Sequence, residues 1–280
     1  MAGRENHAHD HAPDASQEMS GIHERVSAQF GAVAAAYTTS KVHADPEALR
    51  QVVDLAQPKP TDRALDIATG AGHTALALAP HVAEVIAYDM TEPMLRETAR
   101  NAAARGLANV STEQGIAEAL PFASASFDIV AARQAPHHFA DVRAAIREMA
   151  RVAKPGARIV IVDSSSPEDP ALARQWNHIE KLRDPSHVRN YSASEWRSML
   201  AAAGLRVTFE EAGFATEDSG PMDFAAWVRR MNTPPAALAE LTRLFREASP
   251  ELVAALRIEI AHDGAIFFSV PLITLAATKS

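Results

Sequence analysis

Between Ala64 and Val162 the chain alternates short apolar runs with helical stretches, and this alternation restricts its fold more than any other feature. The runs are Ala64 to Ala68, Val85 to Tyr88, Val110 to Glu113, Phe127 to Ala132 and Arg158 to Val162. Runs of this length and composition mark parallel strands buried on both faces. Helical segments fall near His73 to Ala79, Pro93 to Arg105 and Val142 to Val152, the last ended by Lys154-Pro155-Gly156. This order implies a doubly wound α/β sheet with right-handed crossovers. A helix over Ser194 to Ala203 and strands over Leu205 to Glu211 and Ala265 to Ala277 complete it. The expected sheet is mostly parallel, seven-stranded and flanked by helices.

Ahead of the sheet, Ile22, Val26, Phe30, Val33 and Tyr37 recur at helical spacing from Gly21 to Thr38, and a second helix is expected over Pro46 to Ala56. Residues 1–20 carry His7, His9 and His11 with almost nothing to bury and read as a disordered tail, where nothing fixes a metal geometry. Two later stretches interrupt the strand–helix scheme. Leu172, Trp176, Ile179 and Leu182 form one stripe; Met222, Phe224, Trp227, Val228 and Met231 form another, followed by Pro234-Pro235 and a helix to about Ala248. In one reading residues 21–280 are a single domain whose segments near 21–56, 168–191 and 221–250 form a helical lid over the carboxyl edge of the sheet. In the other, these aromatics simply extend the core.

A formal net charge of -8, without a long Lys or Arg run, argues against a nucleic-acid substrate. The chain has no cysteine, which excludes disulfides, thiolate nucleophiles and Cys-based metal sites. No stretch approaches the roughly 20 apolar residues of a bilayer span, so a soluble, cytoplasmic protein without membrane contact is expected. The sequence leaves a homodimer open.

The run ending in Asp66 is followed by Gly70 and Gly72 and then a helix, a small-residue turn at the sheet edge where open α/β proteins bind ligands. Position 75, where a dinucleotide fingerprint prefers Gly, is Ala75. The turn alone suits either a nicotinamide or an S-adenosyl cofactor. The next strand ends at Asp89, about 17 residues after Gly72. Its carboxylate either accepts from both ribose hydroxyls or caps the helix opening at Thr91-Glu92-Pro93.

Three longer motifs carry a family resemblance. The segment Leu65-Asp66-Ile67-Ala68-Thr69-Gly70-Ala71-Gly72-His73-Thr74 resembles the first motif of class I S-adenosylmethionine-dependent methyltransferases. Gly115 to Phe122 followed by Ser126 to Val130 resembles the segment joining their third and fourth strands, and Arg147 to Ala157 resembles the helix and turn before their fifth. The nearest group is the ubiquinone/menaquinone-biosynthesis-like small-molecule methyltransferases, and the likeness covers roughly Val26 to Asp163. It implies S-adenosylmethionine as cofactor and S-adenosylhomocysteine as product. It also implies Asp66, Gly70 and Gly72 at the methionine end, Asp89 at the ribose, Met90 on one adenine face, and Ile116 with Ala117 at the adenine edge. Ala68 and Arg133 belong to the same cofactor-binding set. Many relatives have Asp where this chain has Ile116, so adenine recognition leans here on backbone and apolar packing. Tyr37 and His43 are candidate contacts from the N-terminal segment, or else a core tyrosine and a surface histidine.

Methyl transfer from a sulfonium asks the protein chiefly for alignment and exclusion of water, with a base where the acceptor carries a proton. His137 and His138, just past the fourth strand, are candidate catalytic or substrate-orienting residues, or else helix-start histidines bonded to backbone. Asp184 and His187 form a second candidate cluster after the Trp176 stripe, or else a turn. Asp163 ends the fifth strand at the same edge. No metal-site spacing appears among the ordered histidines, so no metal is expected. The expected activity is methyl transfer to an O, N or C nucleophile of a small aromatic or heteroaromatic acceptor, a flat apolar substrate that a lid containing Trp176, Trp227, Phe224 and Met231 would suit. A nicotinamide-dependent oxidoreductase and a non-catalytic cofactor-binding protein are the alternatives.

Overall fold

The computed structural model describes residues 15–38, 44–215 and 220–280, apart from the side chains of residues 15, 32, 33 and 35–38. Its strands are β1 (Arg63–Ile67), β2 (Glu84–Asp89), β3 (Val110–Gln114), β4 (Phe127–Arg133), β5 (Ala153–Ser164), β6 (Leu205–Ala215), β7 (Met222–Asp223), β8 (Glu259–Ile260), β9 (Ile266–Phe268) and β10 (Val270–Lys279). Seven of them form one sheet in the order β3-β2-β1-β4-β5-β10-β6. The pairs among β1 to β5 are parallel, while β10 runs antiparallel to β5 and β6. This is the expected mostly parallel, seven-stranded sheet flanked by helices.

The helices are α1 (Ala15–Thr38), α2 (Pro46–Ala56), α3 (His73–Leu78), α4 (Glu92–Ala104), α5 (Val142–Val152), α6 (Pro170–Arg183), α7 (Ala193–Ala202), α8 (Phe224–Arg230), α9 (Pro235–Arg246) and α10 (Pro250–Leu256). Because side chains alternate along a strand, neighbours in sequence feed opposite cores. Leu65, Ile67, Val130 and Ile161 pack with α5 and α7 through Ile146, Met149, Trp196 and Leu200. Ala64, Ile129, Ala131 and Val160 pack on the other face with Val52 and Ala56 of α2 and Leu78 of α3. Each large aliphatic buried there contributes about 1.5–3 kcal/mol before entropy is counted.

A third cluster gathers Trp176 of α6, Trp227 of α8, Phe245 of α9 and Phe268 of β9. The two indoles stack with centroids 6.2 Å apart, and Phe245 meets Phe268 edge to face at 4.8 Å. A small sheet, β7-β9-β8, closes this cluster. This separate core, in the segments expected as a lid, lies beside the carboxyl ends of β4 and β5 in the main sheet.

Several expectations need correction. The helix expected from Gly21 begins at Ala15, so residues 15–20, read as tail, are helical. Residues 1–14 of that tail, His43 and the Tyr37 side chain lie outside the described residues. Helix α2 was expected in the lid, but Val52 and Ala56 bury it against the sheet. The strand expected over Ala265 to Ala277 is two strands parted at Ser269, whose amide donates to the Leu256 carbonyl at 2.7 Å. Phe268 turns into the lid cluster, whereas Ile273 returns to the main core. Helix α10 was not expected, although Ser249 caps it, Pro250 opens it and Glu251 lies in its first turn.

Candidate active site

At the carboxyl ends of β1, β2 and β4 lies a cavity of ≈ 930 Å³ counted out to its mouth. It is where open α/β sheets bind ligands. Asp66 Oδ2 accepts from Thr69 Oγ1 at 2.6 Å and from the Ala75 amide at 3.0 Å, tying the strand end to α3. Burial pushes the Asp66 carboxyl up to about 7, against the pull of those two hydrogen bonds and of the Arg133 charge.

The loop after Asp66 is held in the left-handed region at Ala68 (φ 54), Gly70 (φ 56) and Gly72 (φ 90). The glycines differ in what surrounds them. A Cβ on Gly70 would meet nothing within 4 Å, so its face toward the cavity is open. A Cβ on Gly72 would come within 2.8 Å of Thr98 Cγ2. Gly72 thus lets the loop pack on α4 and, unlike Asp66, Ala68 and Gly70, does not line the cavity.

Asp89 is buried at the end of β2. Its Oδ2 accepts from the Gly70 amide at 2.9 Å and its Oδ1 from the Thr91 amide at 2.8 Å. The Thr91 side chain and the Met90 backbone also donate to this carboxylate. Burial raises its pKa, opposed by these backbone donors. The N-cap position of α4 belongs to Thr91. Met90, Ile116, Ala117 and Arg133 also line the cavity. Burial lowers the Arg133 guanidinium, which Asp66 and Asp45 counter.

Sequence reasoning missed two parts of this cavity. Gly115 is required because a Cβ there would run into the Tyr88 hydroxyl, which donates to the Ile116 carbonyl at 3.2 Å. Helix α1 contributes His23, Val26 and Phe30, and His23 Nε2 sits 3.5 Å from Glu118 Oε2. Helical spacing marked Val26 and Phe30 as facing inward, without showing that they face a cavity.

A second cavity, ≈ 700 Å³ counted out to its mouth, lies between the sheet edge and the Trp176–Trp227 cluster. Phe30, Gln134 and His138 line both cavities. The remainder of its wall combines apolar Met222, Trp227, Met231 and Leu272 with His137, Glu180, Arg183 and Asp184. Gln134, which follows β4, has φ 51, a strained backbone of the kind that gathers at functional sites.

The His137-His138 turn is fixed from both sides. The His137 carbonyl accepts from the Val188 and Arg189 amides at 2.9 and 3.1 Å. His137 Nδ1 lies 2.6 Å from Asp163 Oδ1; because a carboxylate only accepts, Nδ1 carries the proton. Burial pulls the His137 imidazole down, but the charge and hydrogen bond of Asp163, aided by Glu180 and Asp184, outweigh it and raise the pKa. His138 Nδ1 donates to the Ser186 carbonyl at 3.2 Å and its Nε2 is 3.9 Å from Asp184 Oδ2. Burial and the neighbouring His137 charge push His138 down to about 3, which keeps it neutral.

Asp184 Oδ1 accepts from the Ser186 amide and hydroxyl at 2.8 and 2.6 Å, which secures the loop under His138. His187 is not on either cavity wall. It is buried with Nε2 donating to Asn177 Oδ1 at 3.0 Å, so the structure does not bring it to the cavities with His137 and His138. Burial, first, and then the His137 charge hold it well below the ordinary histidine value. Trp176 and Phe224, expected as a flat acceptor wall, are absent from the second cavity and belong to the lid core. No helix among the described residues is long and apolar enough to cross a membrane.

The comparisons with known proteins agree with this geometry. Residues 58–204, more than half of the chain, match a family model described as a methyltransferase domain. The chain is 40% identical over 239 residues to the uncharacterized methyltransferase YcgJ of Bacillus subtilis, covering 84% of this chain and 91% of that protein. The crystal structure of YcgJ superposes with a TM-score of 0.77 at 38% identity, covering 83% of this chain and 98% of the other. A demethylmenaquinone methyltransferase of Thermus thermophilus is 34% identical over 181 residues, 58% of this chain and 82% of its own. These matches set aside both the nicotinamide oxidoreductase and the non-catalytic binding protein. The chain is a member of the S-adenosylmethionine-dependent methyltransferase family.

Proposed function

We propose that the chain transfers a methyl group from S-adenosylmethionine, held in the first cavity, to a small aromatic or heteroaromatic acceptor held in the second. The observation that carries this reading is the wall shared by the two cavities, made of Phe30, Gln134 and His138. The first cavity suits the cofactor. Gly70 leaves an open approach, Asp89 brings a carboxylate to the wall at the end of β2, and Met90, Ile116 and Ala117 offer an apolar surface. Arg133 is the cation placed to meet a carboxylate. S-adenosylmethionine supplies, when bound, an electrophilic methyl group on a sulfonium.

The chain's own residues do the remainder. Neutral His138, with Nδ1 committed to Ser186, can orient an acceptor by accepting a hydrogen bond at Nε2 without taking up its proton. Met222, Trp227 and Leu272 exclude water on the acceptor side. The relative named for demethylmenaquinone, a ring compound, supports an aromatic acceptor.

Radiolabelled methyl transfer to a panel of small ring compounds tests the reading. Leu272→Trp, which fills the second cavity, should abolish turnover while S-adenosylhomocysteine affinity stays within about threefold, since area lost at one site leaves the other intact. Unimpaired turnover in that variant contradicts the acceptor position.

A further inference from the structure

We infer that Asp163 and His137 form a base dyad for a hydroxyl acceptor, with Asp163 the positioning residue and His137 Nε2 the atom that takes up the hydroxyl proton. This rests on the methyl-transfer reading of the two cavities. Three observations carry it. Asp163 is fully buried, its Oδ1 is 2.6 Å from His137 Nδ1, and its Oδ2 has no hydrogen-bond partner among the described residues. His137 itself lines the acceptor cavity. The turn bearing it is clamped by the Val188 and Arg189 amides, so the ring cannot swing away cheaply.

The carboxylate fixes the tautomer, leaving the Nε2 lone pair as the only basic site of the neutral ring. The groups facing His137 are Asp163 from β5, Glu180, Arg183 and Asp184 from the end of α6, His138 from its own turn and His187 from the following loop. Three are carboxylates, and together they favour the protonated ring. His138 cannot take this part, because its environment keeps the proton off.

Such a dyad suits a hydroxyl better than an amine. A neutral amine attacks through its free lone pair and can lose its proton afterwards. A neutral hydroxyl would become an oxonium unless its proton leaves during attack, and that is what a base at the reacting wall provides. In balance, the O–H bond breaks and its proton goes to His137 Nε2. The freed oxygen pair forms the O–CH₃ bond as the C–S bond breaks, its pair staying on sulfur and neutralising the sulfonium. The imidazolium then returns its proton to water, and nothing is oxidised or reduced.

The test has a readout independent of turnover. In the cofactor-free full chain, NMR titration of His137 should give a value above the ordinary histidine range, and Asp163→Asn should lower it by about one unit. In assays with S-adenosylmethionine, 4-nitrophenol and phenol serve as acceptors of high and low acidity. His137→Gln should slow phenol about 100-fold but 4-nitrophenol, ionised at the assay pH, less than about fivefold. Asp163→Asn should move the acid limb of kcat/KM down by about one pH unit. S-adenosylhomocysteine affinity should stay unchanged in both variants, which also reports that they fold.

An unshifted His137 titration in Asp163→Asn, or equal slowing of both phenols in His137→Gln, overturns the dyad. A wild-type protein that binds S-adenosylhomocysteine yet methylates neither phenol overturns the hydroxyl class. Failure to bind S-adenosylhomocysteine would instead overturn the methyl-transfer reading beneath it.

Discussion

Gly70 and Gly72 stand two residues apart in one loop and answer to different constraints. Gly70 is open on its cavity side; Gly72 is pressed on Thr98 with φ 90. Gly72→Ala combines backbone strain with overpacking and should destabilise the protein by about 2–4 kcal/mol, against about 1–2 kcal/mol for Gly70→Ala. Urea unfolding midpoints measure the difference, and equal losses would contradict the packing assignment. His138 carries a second prediction. Its folded pKa is held down to about 3 by burial and His137, so below about 6.5 the unfolded chain takes up a proton that the folded chain refuses. Its contribution therefore falls as pH drops from about 6.5 toward about 3, by up to about 1.4 kcal/mol per pH unit. His137 has the opposite sign and another window: being raised, its contribution is complete below about 6.5 and is lost as pH climbs through its folded value. Asp66, raised to about 7, gains stability toward acid in any variant that retains it. Comparing wild type with His138→Gln isolates the histidine: the variant should lose less stability between about pH 6.5 and 4.5. An unchanged slope in urea unfolding would contradict a neutral, buried His138.

Among the elements, the lid has a core of its own. Trp227 touches Trp176, Phe224, Phe245 and Phe268, and the Arg183 guanidinium lies 4.5 Å over its ring. Trp227→Ala should cost about 3–5 kcal/mol locally. Hydrogen exchange should rise in α6, α8 and α9 while β1 and β4 remain protected; a uniform rise would show that lid and sheet unfold as one. Strands β1, β2, β4 and β5 were legible because strands buried on both faces leave continuous apolar runs, whereas β3, expected as another such run, is an exposed edge strand. The lid was less so, for a physical reason. Periodicity shows which face of a helix is apolar, not what covers it, so Trp176 and Phe224 fitted an acceptor wall as readily as a core. The apolar run from Ala265 onward carries no mark at Ser269 of the point where it leaves one sheet for another. Helix α10 has a signal in Ser249-Pro250-Glu251, but its seven residues are too few to show a helical period of their own.

At the scale of the whole molecule, three parts of the chain meet at one place. Helix α1 reaches from the first cavity to the lid, where Gln29 Nε2 donates to the Met231 carbonyl at 3.1 Å. Phe30 of the same helix meets the His138 ring at 4.9 Å between the two cavities. Asp66, Asp89 and Ile116 could be grouped from sequence because the first two lie at the ends of strands and the third just after one, and parallel strands bring their carboxyl ends together. The pairing of His137 with Asp163 could not, since it depends on β4 and β5 lying side by side in the register Arg133 to Val162. The central claim is that the first cavity is an S-adenosyl cofactor site with Asp89 at its ribose end. Calorimetric titration of the full chain with S-adenosylhomocysteine, repeated on Asp89→Ala, tests it most directly. Saturable 1:1 binding is predicted, weakened by about 1.5–3 kcal/mol in Asp89→Ala as the charged acceptor is lost. No binding to the wild-type chain, or equal affinity in the two proteins, would contradict it.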